Sequence, residues 1–137
     1  MNEVIFSTAQ LKGFFEDEFK DLKSKFEIFE LSISEAKDCS NPNISHPGVY
    51  IFWHPERGAI KVGKHFTNSR KRALEHVQEN VNTGGTMALL RNCEDAKVLL
   101  FNLIDQKELH WVMALEVFFE LKLREKNALE IRSGRVG

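Results

Sequence analysis

The apolar positions of this chain change their spacing several times, and each change marks an element. Over residues 7–25, Leu11, Phe14, Phe15, Phe19 and Leu22 recur near helical spacing behind Ser7 and Thr8, either of which can cap an amphipathic helix. Residues 26–33 read as a strand whose alternation is broken by Phe29. The run SNPNISHP at 40–47 is a loop by composition. Val49–Trp53 is β-branched and aromatic, His54–Gly58 supplies turn chemistry, and Ala59–Val62 is a second short apolar run. Together these predict a β-hairpin with a five-residue loop. Gly63 closes the second strand, and Thr67, Asn68 and Ser69 are candidate caps for a helix reaching about Asn80. Residues 82–86 form another loop, 96–104 a strand, and 107–126 a helix. That last helix is apolar almost all the way round, which predicts a buried central position.

These elements make an α/β (α+β) chain of one compact size class. Its 137 residues can bury roughly two-thirds of the unfolded surface. The loop at 40–47 divides it into an N-terminal helix–strand extension, 1–45, and a core, 46–137. Neither a basic-then-apolar leader nor an apolar run of transmembrane length is present in the sequence, so the expected location is the cytoplasm. Cys39 and Cys93 lack ligand spacing, which argues against a disulfide or zinc site. The net charge of −1 hides an asymmetry: residues 1–40 carry −4 and residues 41–137 carry +3. A basic excess of that size is compatible with phosphate contacts and equally with ordinary solvated surface.

The candidate chemistry sits between Gly48 and His76. Tyr50 is the only tyrosine in a chain with eleven Phe. Its phenol can exchange a proton, although a strand tyrosine with a solvated tip reads the same way. From Lys61 to His76 the stretch gathers Lys61, Lys64, Arg70, Lys71 and Arg72 against one acid, Glu75. Arg72 and His76 lie four apart and share a helix face. Farther on, Glu116 interrupts the apolar helix, so its carboxylate must be paired with a core cation or bound to a metal. Glu120 is its rival, with neighbours that point to the more exposed side.

GVY at 48–50, KVG at 61–63 and the Arg72/His76 pair resemble the GIY-YIG endonuclease superfamily. Glu116 and Asn127, eleven apart in the last helix, match that family's later glutamate and asparagine. The resemblance covers about residues 46–135 and implies a three-stranded antiparallel sheet flanked by helices. It implies a nuclease that hydrolyses phosphodiester bonds, with Tyr50 orienting or deprotonating the attacking water and Arg72 holding a phosphoryl oxygen. His76 would relay a proton, and Glu116 would be the sole carboxylate ligand of one Mg²⁺ (or Mn²⁺). Lys61 stands where most members carry a second tyrosine, as it does in some restriction-type members, and becomes a phosphate contact or base. Lys64, Arg70 and Lys71 would bind nucleic acid, DNA foremost, while Gly63 and Asn127 would hold structure near the site. A free phenol titrates near about 10, and neighbouring cations favour its ionised form. Tyr50, Lys61, Arg72 and Glu116 are therefore expected on one face. The alternative is a catalytically silent module of this fold that binds nucleic acid or a protein partner. Self-association or a partner subunit is compatible with either.

Overall fold

The computed structural model describes residues 3–79 and 85–132. The first helix, α1 (Thr8–Glu18), starts at a reciprocal cap. The Ser7 hydroxyl accepts from the Gln10 amide at 3.1 Å, and the Gln10 side chain accepts from the Ser7 amide at 2.8 Å. It stops seven residues short of the expected end. The chain reverses through a 3₁₀ turn at Lys23–Lys25, which returns Phe26 edge-on to Phe15 with ring centroids 5.4 Å apart. Burying those rings outweighs one more helical turn.

The strands are β1 (Phe26–Ser32), β2 (Gly48–His54), β3 (Gly58–His65) and β4 (Lys97–Leu103). They form one antiparallel sheet in the order β1-β4-β2-β3. The sheet therefore has four strands, not the three implied by the resemblance. The N-terminal segment supplies the extra one, and β1 pairs along its whole length with β4, from Phe26 opposite Leu103 to Ser32 opposite Lys97. Without it β4 would present an open edge in the middle of an apolar run. The broken alternation at Phe29 has the same origin. Phe26 joins the core on one sheet face and Phe29 the core on the other, so β1 is covered on both sides.

Among the described residues five α-helices cover the two faces. On the first, α1 and α5 (Leu109–Glu125) pack Leu11, Phe15, Leu115 and Phe119 against Val49, Ile51 and Phe101. On the second lie α2 (Ile33–Asp38), α3 (Ser69–Glu79) and α4 (Thr86–Arg91), with Ala36, Ala73, Val77 and Leu90 beside Tyr50, Phe52 and Leu100. Helix α2 begins where the strand was expected to run on. Ser32 and Glu35 cap it reciprocally, the Ser-x-x-Glu pattern that ends the strand one residue early. The expected end of α3 at Asn80 and the loop at 82–84 fall outside the described residues. Helix α5 is not central. It lies on one sheet face, and its outer side leaves Met113, Val117 and Leu121 exposed. Among the described residues no helix is long and apolar enough to cross a membrane.

The β2–β3 loop is tighter than expected. Pro55–Arg57 form the turn, the Arg57 amide donates to the His54 carbonyl at 3.2 Å, and Gly58 takes φ +75°. Below it the register shifts: Phe52 faces Lys61 but Trp53 faces Ala59, leaving Ile60 as an extra residue on β3.

A buried amide holds the sheet to the second face. Asn102 is fully buried, accepts from the Ser69 hydroxyl at 2.5 Å, and donates to the carbonyls of Asn43 at 2.9 Å and Ile44 at 3.2 Å. It ties the loop before β2 and the first residue of α3 to the central strand. A side chain on Gly48 would collide with it. Asn102→Leu keeps the volume and orphans all three partners. The expected cost is about 1–3 kcal/mol, read as a lower urea midpoint with an unchanged slope.

Candidate active site

The tyrosine lies flat across a backbone. Tyr50 is 2% exposed on β2, and its cross-strand neighbour on β3 is Gly63. A Cβ built on Gly63 would overlap the Tyr50 ring and its phenol oxygen. The glycine of KVG is therefore required by the tyrosine of GVY, since any other residue would displace the ring.

Helix α3 brings the next group. Its cap is Asn68, whose side-chain oxygen accepts from the Lys71 amide at 3.0 Å while its carbonyl accepts from Arg72 at 3.2 Å. His65 fixes the approach, its Nδ1 accepting from the amide of Asn68 at 3.1 Å. Two turns into α3, the His76 ring sits 5.9 Å from the Tyr50 ring, centroid to centroid. Phe52 borders Tyr50 along the same strand face at 5.4 Å.

Lys61 reaches this face by plain alternation, two residues from Gly63 in unbroken register. It pairs with Phe52, so it shares the face of Tyr50 and Gly63, and the extra Ile60 joins the same core. Its charge is felt at His76. Burial first, then the nearby charges of Lys61 and Arg72, push the His76 pKa down to about 4, with Glu75 opposing weakly. The imidazole is thus neutral at pH 7 and able to accept a proton. Arg72 is half-exposed and pairs with Glu75 at 3.6 Å.

That depression fixes a pH dependence. Above about pH 6.5 the imidazole is neutral in the folded and unfolded chains, and its contribution is complete. As pH falls from 6.5 toward 4, only the unfolded chain takes up the proton, so stability is lost across that window. His76 should titrate near 4 by NMR. In His76→Gln the loss of stability between those pH values should be shallower than in wild type.

Glu116 and Lys64 form a separate unit. Lys64 pairs with Val49, whose side chain packs in the α5-side core, so it points away from Tyr50. Its ammonium meets the Glu116 carboxylate at 3.3 Å, with both side chains no more than 10% exposed, and lies 5.5 Å from the Phe66 ring centroid. The structure gathers Tyr50, Gly63, Lys61, Arg72 and His76 on one side of the sheet but, contrary to the single face expected for Tyr50, Lys61, Arg72 and Glu116, places Glu116 with Lys64 on the other, because α5 packs on the face opposite Tyr50. Both groups flank β3, the edge strand. A single hard carboxylate suits a Mg²⁺ that keeps most of its waters, and such an ion would have to replace the Lys64 ammonium. Among the described residues, no three or more His, Cys, Asp or Glu side chains gather as a metal cluster.

The other candidates have local work. Glu120 is fully buried, contrary to the exposed side expected for it, because Arg124 one turn on reaches back to its carboxylate at 3.2 Å. Arg70 donates to the Cys39 carbonyl at 3.1 Å and the Ala36 carbonyl at 3.4 Å, closing the end of α2, while Lys71 is exposed. Asn127 takes φ +54° just past α5. Its amide donates to the Arg124 carbonyl at 3.0 Å and that of Ala128 to Leu123 at 2.8 Å, the paired closure of a Schellman cap. Asn102 was missed, although a lone amide in the run VLLFNLI was its signal.

Comparison with protein-family models, curated proteins and solved structures found no match to this chain.

Proposed function

We propose that this chain is a metal-dependent nuclease of the GIY-YIG type, acting on nucleic acid, DNA foremost, in the cytoplasm. One observation carries the reading. A tyrosine that requires a glycine beneath it is bordered by a neutral histidine that feels two cations, Lys61 and Arg72, and these residues come from three separate segments, β2, β3 and α3. Phosphodiester hydrolysis asks for those groups: an acceptor for the water's proton, and fixed positive charge where oxygen becomes negative.

In this reading Tyr50 orients the attacking water, and neutral His76 takes the proton directly or through the phenol. Lys61 lies beside them as a phosphate contact. Arg72 exchanges the weak, solvated Glu75 pair for a phosphoryl oxygen, which its planar guanidinium binds with two parallel hydrogen bonds. Glu116 is the residue that would hold Mg²⁺ or Mn²⁺, which supplies Lewis-acid stabilisation of the leaving oxygen when bound. Lys64 then becomes free to contact phosphate.

The second reading is a silent binding module of the same architecture. It is favoured by the burial of Tyr50 and by the Lys64–Glu116 pair across the sheet from it. Incubation with labelled duplex, flap, junction and single-stranded substrates, in Mg²⁺, Mn²⁺ or EDTA, separates the two. Cleavage that needs the metal supports the enzyme. Binding without cleavage of any substrate supports the module, and neither binding nor cleavage ends both.

A further inference from the structure

A groove of about 390 Å³, open to solvent, lies between α2 and α3 on the second face of the sheet. Lys37 of α2 lines one side, and Asn68, Arg70 and Lys71 line the other. Among the described residues none of these three cations is in an ion pair. The one acid in the lining, Glu75, already meets the Arg72 guanidinium at 3.6 Å. Asp38, beside Lys37 on α2, is exposed and outside the lining. We propose that this groove holds the sugar–phosphate backbone of the nucleic-acid strand next to the phosphate being cut, with Lys37 as a contact supplied by the N-terminal segment. The proposal rests on the nuclease reading, which puts Arg72 at the cut phosphate.

Helix geometry joins the groove to the candidate site. Arg70, Lys71 and Arg72 are consecutive on α3, and each step turns the helix by about 100°. The three cations therefore fan around it: Arg70 inward over the end of α2, Lys71 into the groove, and Arg72 toward His76. A strand held by Lys71 reaches Arg72 at the adjacent position of the same helix. When Arg72 leaves Glu75 for a phosphoryl oxygen, that carboxylate lies one turn from Lys71. Even with Glu75 counted in full, the lining holds three cations against one acid.

The rest of the lining selects a phosphate ligand. Sites for apolar small molecules are walled mostly by apolar and aromatic side chains, and protein interfaces are enriched in aromatic ones. Here Leu74 alone is apolar, while Asn68 and Gln78 add amides. Asn68 commits its side-chain oxygen to the Lys71 amide, which leaves its Nδ2 to donate. Arg70 is held by the carbonyls of Cys39 and Ala36, so it acts by charge rather than by a two-pronged clasp. Ammonium groups and amide donors of this kind grip phosphate and sugar oxygens and fix register without reading sequence.

Fluorescence anisotropy of a labelled single-stranded oligonucleotide, in EDTA so that nothing is cut, tests the groove. Lys37→Glu and Lys71→Glu should each weaken binding by about tenfold relative to Lys20→Glu, which makes the same charge change on an exposed lysine just past α1. Lys37→Gln and Lys71→Gln should each lower the slope of log affinity against log salt by about 0.7, the loss of one single-strand phosphate contact. Melting should stay at wild type in all four, because both side chains are exposed. Weakening no greater than in Lys20→Glu, or wild-type salt slopes in both Gln variants, overturns the proposal, and metal-dependent cleavage would leave the nuclease reading standing. The expected weakening in a chain that cuts no substrate removes the cut phosphate from beside the groove, overturns the proposal as stated and hands the groove to the silent module. Binding of polyglutamate as tight as that of the oligonucleotide, with the same dependence on Lys37 and Lys71, would assign the groove to an acidic protein and also overturn it.

Discussion

Tyr50→Phe should leave the fold standing and reduce hydrolysis by about 10²–10⁴-fold, with nucleic-acid affinity nearly unchanged. The ring packs between Gly63, Phe52 and His76, and phenylalanine keeps all of those contacts. Losing one buried hydroxyl costs about 1 kcal/mol of stability. Gly63→Ala is the informative partner. Its methyl would drive the ring off the strand, so activity and stability should fall together, by about 1–3 kcal/mol in the latter. Cleavage rates and urea midpoints of the two variants side by side decide the matter. Tyr50→Phe with wild-type turnover would remove the phenol from the chemistry and leave the ring as packing.

The second large effect belongs to the ion pair across the sheet. Glu116→Gln strands the Lys64 ammonium in a site only about a tenth exposed, and the expected loss is about 2–4 kcal/mol. Replacing both partners, Glu116→Leu with Lys64→Met, should return stability to within about 1 kcal/mol of wild type, because the two charges of this pair leave the site together. If Glu116 also serves hydrolysis, that double variant is stable and inactive. Mg²⁺ gives a readout independent of turnover: it should raise the melting temperature of Lys64→Met more than that of wild type, since the competing ammonium is gone. A double variant that keeps full cleavage would confine Glu116 to holding α5 on the sheet.

Local signals were legible and distant ones were not. The β2–β3 hairpin, the Asn68 cap and the strand at β4 each follow from turn residues or periodicity within a few positions. The strand at β1 was legible, but its place as the fourth strand of the sheet was hidden because it finds its partner about seventy positions away. Glu120 was misjudged for a related reason. Its neighbours along the helix, with Glu116 and Arg124 one turn to either side, read as an exposed side, and only packing against the sheet turns that side inward. The division of the cations was partly readable: Lys61 and Lys64 lie three apart on one strand, and strand alternation must send them to opposite faces. The bulge that leaves Ile60 extra had no local mark, because it adjusts the twist of a pair already formed.

The strand order has a consequence for how the chain comes to be folded. The hairpin closes on its own sequence, but β4, which sits between β1 and β2, is made after both of them. During synthesis β1 must wait for most of the chain with the edge that will meet β4 unpaired. The Phe-rich surfaces of α1 and β1 lack the rings of Phe101 and Phe119 that later cover them. Contacts of such long separation make folding slow for a domain of this size. The N-terminal third, made before its partner strand, waits for β4 with its Phe-rich surface open to chaperones and proteases.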